Sequence, residues 1–348
     1  MASATNHNDV HRKAYVNTIE ARSTVHGGSA TVVVCAFASQ RLEQTVGCVT
    51  SVLGQDPPPG QVIVVVDHNE SLQGELRARL PDEVEIVANE HARGLSSARN
   101  TAIAHSRGEY VVFIDDDAIA HEGWLARLLS AFDDPQVVGV GGHARPLWET
   151  AQPGWLPPEF LWVVGCSYSG LPESGAVRNP LGCNMAFRAG LFDAVGRFNP
   201  AIGRLGSLPL GCEETEFCLR AARAMGGARI ALTAGAEIDH HVPATRATAR
   251  YLLRRCYFEG ISKALVRRLG DSRSLDTERA YLRHALAARL RSSIRRVVSG
   301  RGAGDAAGQF AAVIGAVGAA AAGYLVGVVA FRVRPPAVLA PPALDPVA

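Results

Sequence analysis

Runs of β-branched and apolar residues recur along the first third of the chain, separated by segments with helical spacing. Three of these runs predict buried strands, at residues 31–37, 62–67 and 110–114. A weaker strand and three helices are predicted between them, at 84–88, 42–53, 72–80 and 96–106. Strands that alternate with helices of this length predict an α/β fold with a mostly parallel, Rossmann-like sheet flanked by helices.

Carboxylates follow directly on two of the three buried strands. Asp67 ends the second strand, and Asp115, Asp116 and Asp117 follow the third. In open sheets of this kind the ligand binds beyond the carboxyl ends of the strands. This edge of the sheet is therefore where we expect a functional site.

Three consecutive carboxylates at a buried strand end are unfavourable unless a positive charge offsets them. Mg²⁺ or Mn²⁺ would do so, since both prefer hard oxygen ligands and can neutralise charge on a diphosphate leaving group. The alternative is a solvated aspartate turn that caps the next helix. The cluster by itself does not separate these interpretations.

Composition excludes several functional classes. The formal net charge is +2, from 35 Lys and Arg against 33 Asp and Glu, which argues against a nucleic-acid partner. The seven cysteines are scattered and never spaced Cys-x-x-Cys, so neither a disulfide framework nor a structural zinc site is expected. A Walker-type Gly-Lys-Ser/Thr motif is absent, which excludes the P-loop NTPases.

The C-terminal third has a different character. Residues 246–301 contain fifteen Lys and Arg against four Asp and Glu, and residues 310–331 contain no charge. The uncharged stretch is long enough to cross a bilayer, although its many Ala and Gly residues also suit a buried or self-associating helix. Because few basic residues follow it, the positive-inside rule predicts a single-pass cell-membrane protein with a cytoplasmic catalytic domain.

These features divide the chain into five segments. They are a disordered N-terminal tail (1–29), an α/β domain (30–245), a basic helical extension (246–305), a transmembrane helix (306–332) and a Pro-rich tail (333–348).

Five motifs stand in order along residues 30–265. They are Val-Val-Cys-Ala-Phe at 33–37, Val-Val-Val-Asp at 64–67, Gly-Leu-Ser-Ser-Ala-Arg-Asn at 94–100 leading through Gly-Glu-Tyr at 108–110 to the three aspartates, Cys-Glu-Glu-Thr-Glu-Phe-Cys-Leu-Arg at 212–220, and Asp-His-His-Val-Pro at 239–243. In this order they resemble glycosyltransferase family 2, whose members are inverting nucleotide-sugar enzymes of the GT-A fold.

The resemblance implies a donor site for a nucleoside-diphosphate sugar. Asp67 would hold the nucleotide base, Asp115 would face the nucleoside, and Arg99 would steady the diphosphate side. Asp116 is the variable middle position. Two further donor positions are Asn184, near the transferred sugar, and Phe37, where Phe37-Ala38 replaces the family's Tyr-Asn and loses two polar contacts.

The resemblance also implies metal ligands and a catalytic base. Asp117 and His240 would hold Mg²⁺ or Mn²⁺, with His241 as the competitor of His240. Glu214 would be the general base, and the neighbouring Glu213 is its rival.

The Gln-x-x-Arg-Trp motif of processive synthases is absent, which favours a single transfer. A membrane-near site suggests a lipid-linked or cell-envelope glycan acceptor. Two alternatives stay open: a nucleotidyltransferase that uses the same aspartates, and a non-catalytic sugar-nucleotide-binding membrane protein.

Overall fold

The computed structural model describes residues 29–204, 209–269 and 303–333. The predicted tails (1–29 and 333–348) lie outside these residues except at positions 29 and 333, and most of the basic extension lies outside them too. In chain order the described elements are β1 (Ala30–Ala36), α1 (Leu42–Leu53), β2 (Gln61–Val66), α2 (Glu70–Arg79), β3 (Val84–Ala88), α3 (Leu95–His105), β4 (Tyr110–Asp115), β5 (Ala118–Ala120), α4 (Trp124–Ser130), β6 (Val137–Trp148), β7 (Gly175–Val177), β8 (Asn184–Arg188), α5 (Ala189–Val195), α6 (Glu213–Ala224), β9 (Arg229–Val242), α7 (Ala249–Leu269) and α8 (Ala303–Val333).

The nine described strands form one mixed sheet in the order β3-β2-β1-β4-β8-β6-β9-β5, and β7 pairs with β9. The first four, β3, β2, β1 and β4, are parallel, as their apolar runs predict. Strand β8 then pairs antiparallel with both β4 and β6, and β5 pairs antiparallel with β9. Parallel pairing therefore holds among β1–β4 and again between β6 and β9, whereas β5, β7 and β8 join the sheet antiparallel.

The two faces of the sheet bury separate cores. Alternate residues of β1 show this division: Val32 and Val34 pack towards α1 and α2, whereas Val33 packs towards α3 and α6. Five phenylalanines fill the second core in edge and stacked contacts: Phe113, Phe187, Phe192, Phe198 and Phe217. The result is a three-layer arrangement with helices on both sides of the sheet.

The parallel register brings the candidate residues to one edge. Ala36 of β1 pairs with Val66 of β2, and Cys35 pairs with Asp115 of β4. Phe37, Asp67 and the aspartate cluster therefore leave the sheet side by side.

Helix α8 packs along α7, and glycines form the contact. A Cβ atom at Gly260 of α7 would overlap the carbonyl oxygen of Ala320, and one at Gly323 of α8 would overlap the carbonyl oxygen of Tyr257. Leu252 and Cys256 of α7 and Val313 of α8 share a small buried core with the segment around Phe160.

Replacing Gly260 by Ala is expected to lower the free energy of unfolding by about 1–3 kcal/mol, because the new methyl group overpacks the contact. Gly318→Ala is the matched control, since nothing lies within 4 Å of a Cβ at that position of α8. The control should be neutral or stabilising by up to about 1 kcal/mol, because Ala favours the helix. Chemical denaturation in detergent measures both. Equal effects of the two substitutions would contradict the close packing of α7 and α8.

Candidate active site

The aspartate cluster meets a histidine because of strand pairing. Strand β5 follows the cluster and pairs with β9 so that Ala118 lies opposite His240. The backbone N–H of His241 also donates to the carbonyl oxygen of Asp117 (2.9 Å). His240 Nε2 therefore lies 3.4 Å from Asp117 Oδ1 and 3.8 Å from Asp115 Oδ2. His241 faces the opposite side of the strand, where its Nδ1 is 3.2 Å from Gln44 Nε2.

The three side chains fit a divalent cation. One potential ligand atom from each of Asp115, Asp117 and His240 lies within 4.8 Å of the other two. Asp117 Oδ1 is buried and has no hydrogen-bond partner among the described residues. A bound cation would satisfy this oxygen. Two carboxylates and an imidazole form a donor set that Mn²⁺ accepts, and Mg²⁺ suits the carboxylates.

The far side of the imidazole is enclosed. Nδ1 of His240 lies 3.8 Å from Cys166 Sγ. Gly165 has φ of +89° and packs on the ring, so that a Cβ there would lie 2.9 Å from His240 Cε1. A glycine is therefore required on both steric and conformational grounds.

Arg41 is the nearest cation to the cluster, and the sequence patterns did not single it out. Its guanidinium contacts Asp116 Oδ1 at 2.6 Å and Asp117 Oδ2 at 3.1 Å. Arg246 approaches Asp117 Oδ2 to 3.9 Å from the other side. Arg204 also faces the site, where burial and then the charge of Arg246 lower its pKa. No motif in the sequence marked these three arginines, because they come from separate segments that meet only in the folded protein.

The pKa values show how strongly the acids crowd one another. Burial raises the pKa of Asp116 to about 7, although Arg41 opposes the shift. Burial alone would lower the pKa of His240, but the Asp117 carboxylate and then Asp115 outweigh it and raise the pKa to about 10. These shifts have the direction expected where carboxylates lie close together in a buried site, and a bound divalent cation would also stabilise their charge.

The two candidate bases stand at the start of α6 and differ in their contacts. Glu213 is buried, and its Oε1 accepts a hydrogen bond from Arg99 Nη1 (2.8 Å). Glu214 is half-buried, and its Oε1 accepts a 3.2 Å hydrogen bond from Thr215 Oγ1. Burial and then the charge of Glu213 raise the pKa of Glu214 to about 7. An acid with this pKa can accept a proton near neutral pH.

Arg99 connects the two parts of the site. Besides Glu213, its guanidinium contacts the carbonyl oxygen of Gly182 (2.8 Å) and lies 3.8 Å from Asp115 Oδ1. It packs against the rings of Phe113 and Phe198, with 5.6 Å from its Cζ to each centroid. Since it is 2% exposed, its donors are directed at protein groups. Its predicted contact with the donor diphosphate stays a prediction.

Helix α7 holds the loop before Glu213. The Gly211 N–H donates to Ser262 Oγ (3.2 Å), and Cys212 Sγ donates to Glu259 Oε1 (3.1 Å). Cys212 adopts φ of +73°, a conformation that non-glycine residues rarely take. Burial alone would raise the pKa of Glu259, but the charges of Lys263 and Arg255 and the hydrogen bonds from Cys212 and Arg255 outweigh it and lower the pKa to about 2.

Two predicted donor positions lie at the sheet edge. Asp67 Oδ1 accepts from Asn89 Nδ2 (2.7 Å) and Oδ2 accepts from the Gly94 N–H (3.0 Å), so this carboxylate anchors the loop before α3. Phe37 is 45% exposed, and Arg41 lies over its ring. Both positions are open to a ligand beside the aspartates, and their roles towards a donor stay predictions.

Asn184 is fully buried and its amide is occupied. Its Oδ1 accepts from Trp124 Nε1 (2.9 Å), and its Nδ2 lies 3.0 Å from the carbonyl oxygens of His143 and Ala236. These bonds join β8 to α4, β6 and β9. The geometry therefore favours a structural role, while the predicted contact with the sugar remains untested.

Asn184→Ala is expected to lower the free energy of unfolding by at least about 1–3 kcal/mol, because it leaves buried polar groups without partners. The KM for a donor should stay unchanged at temperatures where the variant is folded. Thermal denaturation and donor titration measure the two effects. A raised donor KM with unchanged stability would instead support the contact that the family resemblance implies.

Comparison with known proteins identifies the family of the chain. Residues 31–196 match the family model for glycosyl transferase family 2. The chain is similar to a glucosyl-dolichyl phosphate glucuronosyltransferase of Haloferax volcanii, with 32% identity over 72% of this chain and 81% of that protein. It is also similar to the succinoglycan biosynthesis protein ExoM of Rhizobium meliloti, with 26% identity over 65% of this chain and 71% of that protein.

Among solved structures, the fold is similar to that of a mannosyltransferase from Pyrobaculum calidifontis in complex with GDP-Man and Mn²⁺. The TM-score is 0.52 at 18% identity, over 89% of this chain and 94% of that one, which supports the GT-A architecture. Sequence, fold and the Asp-x-Asp site thus agree, and the chain belongs to glycosyltransferase family 2 as a nucleotide-sugar-dependent enzyme.

Proposed function

We propose that the protein transfers one sugar, with inversion, from a nucleoside-diphosphate sugar to a lipid-linked or cell-envelope glycan acceptor. The main observation behind this proposal is that Arg99 links two groups of side chains. It contacts Glu213, next to the candidate base, and approaches Asp115, one of the candidate metal ligands. Donor and acceptor would therefore meet between the aspartate cluster and the start of α6.

Asp115, Asp117 and His240 are the residues that would hold Mg²⁺ or Mn²⁺, which when bound neutralises negative charge on the diphosphate. Arg41 and Arg246 flank Asp117 and offer further donors to phosphate oxygens. Asp67 and Phe37 lie at the same edge, where the nucleoside would bind.

Glu214 would remove the proton of the acceptor hydroxyl as its oxygen attacks the anomeric carbon. The bond from that carbon to the diphosphate oxygen breaks, and the nucleoside diphosphate leaves with the electron pair. Attack opposite the leaving group inverts the anomeric centre. Glu213 is the weaker candidate, because its salt bridge to Arg99 stabilises the carboxylate and reduces its access to an acceptor.

Similarity and sequence support the acceptor class, the location and the single transfer. The Haloferax volcanii relative is named for a dolichyl phosphate-linked acceptor. One helix in the described part of the chain, within Gly304–Phe331, is long and apolar enough to cross a membrane. If this helix crossed the membrane, the fifteen basic residues of 246–301 would place the catalytic domain on the cytoplasmic side. The stretch 254–257, Arg-Arg-Cys-Tyr, in place of the processive motif supports a single transfer.

A panel of UDP-, GDP- and dTDP-sugars, with and without Mn²⁺ or Mg²⁺, tests the proposal through donor hydrolysis. The expected products are a nucleoside diphosphate and a free sugar whose anomeric centre is inverted. NMR during the reaction detects that inversion. Release of pyrophosphate would instead identify a nucleotidyltransferase. Metal-dependent binding without turnover would identify a sugar-nucleotide-binding protein.

A further inference from the structure

Helix α8 has two opposite faces along its described length. One face packs on the protein, and the side chains of Val313 and Ala316 are buried there. The other face is exposed and carries the large apolar side chains of Phe310, Ile314, Leu325, Val326 and Val329. No charged residue interrupts positions 306–331. From 310 to 329 this apolar face extends about 30 Å at the helical rise per residue.

The packed face of α8 contacts the catalytic domain directly. Near the start of α8, Gln309 Nε2 donates to the carbonyl oxygen of Gly154 (2.7 Å). Further along, the backbones touch at Gly260 and Gly323, and a Cβ atom at Gly327 would lie 2.8 Å from the Cβ atom of Ala264. The contacts cover nearly the whole apolar stretch, so α8 is a part of the folded body and not a free tether.

This packing disfavours an arrangement in which α8 alone crosses the bilayer. Beside the middle of α8, α7 carries the ionised Arg255, Glu259 and Lys263, which hold the loop before α6. If α8 crossed in this pose, these charges and the edge of the active site would lie at the depth of the hydrocarbon. Ionised side chains are strongly disfavoured at the centre of a bilayer.

Positive charge lies beside the apolar face. Four arginines of α7 are exposed: Arg250, Arg254, Arg267 and Arg268. Arg267 also donates to the hydroxyl of Tyr324 on α8, so the charge borders the apolar stripe. Anionic lipid headgroups are attracted to such clusters. A second copy of the chain would bring the same positive charges together, which disfavours a symmetric protein contact.

We propose that α7 and α8 form one membrane-facing unit that lies in the plane of an anionic lipid surface. The exposed face of α8 is buried among the headgroups and the first acyl carbons, and the arginines of α7 contact lipid phosphates. This arrangement replaces the single pass that the sequence predicts. It rests on the membrane association proposed above, but not on the proposed chemistry.

The arrangement has a consequence for the acceptor. Since α7 holds Gly211 and Cys212 directly before the candidate base, the base lies one helix away from the lipid surface. A lipid-linked acceptor would therefore reach Glu214 without leaving the membrane.

The first test is flotation of the full chain with vesicles of phosphatidylcholine, with and without phosphatidylglycerol. The double variant Ile314→Gln/Leu325→Gln removes apolar contact from α8, and Ile119→Gln/Leu147→Gln makes the same change at two exposed positions outside α7 and α8. We expect the α8 variant to bind anionic vesicles roughly tenfold less tightly or worse, and the control to bind normally. Equal binding of both variants would overturn the proposal.

The depth of α8 separates a surface position from a crossing. Ala321 lies on the exposed face at the middle of the apolar stretch. The fluorescence added by Ala321→Trp should be quenched most by lipids brominated near the headgroup. Strongest quenching by lipids brominated at the end of the acyl chain would show a crossing and refute the in-plane arrangement.

Sedimentation without lipid tests whether a second copy of the chain, instead of lipid, covers the exposed face of α8. A dimer that the α8 double variant abolishes would show that a second copy covers the face, and would overturn the proposal. Donor hydrolysis by the α8 double variant is expected to continue, since Ile314 and Leu325 are outside the active site. That readout keeps a failure of the lipid proposal separate from a failure of the proposed transferase chemistry.

Discussion

Replacing Asp117 with Asn is expected to lower kcat/KM for sugar transfer by roughly 10²–10³-fold and to abolish the stabilisation of nucleotide binding by Mn²⁺. Asp117 is the buried member of the cluster that combines an unpartnered carboxylate oxygen with a neighbouring imidazole. An amide keeps the size of the side chain but removes the charge that attracts the cation. Steady-state kinetics over a metal titration and thermal shift with nucleotide measure the two effects.

The variant is not expected to unfold, because it removes one of three crowded carboxylates. Asp133→Asn is the matched control, since Asp133 is exposed at the far end of α4. It should leave both metal dependence and turnover unchanged. Normal turnover of Asp117→Asn at saturating metal would show that Asp117 does not hold the cation.

Replacing Glu214 with Gln is expected to lower kcat by about 10²–10⁴-fold, the usual contribution of a general base. Donor binding should persist, because the aspartate cluster is untouched. Glu213→Gln is the informative comparison, since Glu213 pairs with Arg99 and is expected to affect stability and donor affinity more than the chemical step. If Glu213→Gln alone abolished turnover with normal donor affinity and normal stability, the two roles would be exchanged.

The pH dependence gives a second test of the base. The groups that set the pKa of Glu214 are Glu213 on its own helix and the pair Glu259 and Lys263 on α7. Because a general base acts in its ionised form, kcat should rise with pH through about 7, the value to which burial and Glu213 raise this pKa. In Glu214→Gln this limb should be absent. An unchanged limb in the variant would assign it to another group.

The N-terminal half of the fold was predictable from local pattern. Runs such as the one at 31–37 are buried on both faces in a parallel sheet, so they are apolar throughout and easily found. The C-terminal half was not predictable, because β6 and β9 are long strands with register shifts and glycines that weaken any simple alternation. Their pairing depends on contacts between residues far apart in the chain.

The candidate site was predictable in its residue types but not in its connections. The aspartates could be found because carboxylates rarely end a buried strand. That Arg99 packs against two phenylalanine rings and contacts Glu213 could not be inferred, since its partners come from three distant segments. Arg41 was missed for the same reason: it lies in a 3-10 turn directly before α1, and its acidic partners are more than seventy residues away in the chain.

By itself, the sequence determined the alternation of strands and helices, the carboxylates at the sheet edge and the apolar character of 310–331, because each depends on neighbouring residues. The tertiary structure decided which of two adjacent histidines meets the aspartates, since alternate residues of β9 face opposite sides of the sheet. It also decided which glutamate is neutralised by an arginine and which face of α8 stays exposed. Those outcomes depend on which residues pack against each side chain, and the local sequence pattern does not specify these tertiary contacts.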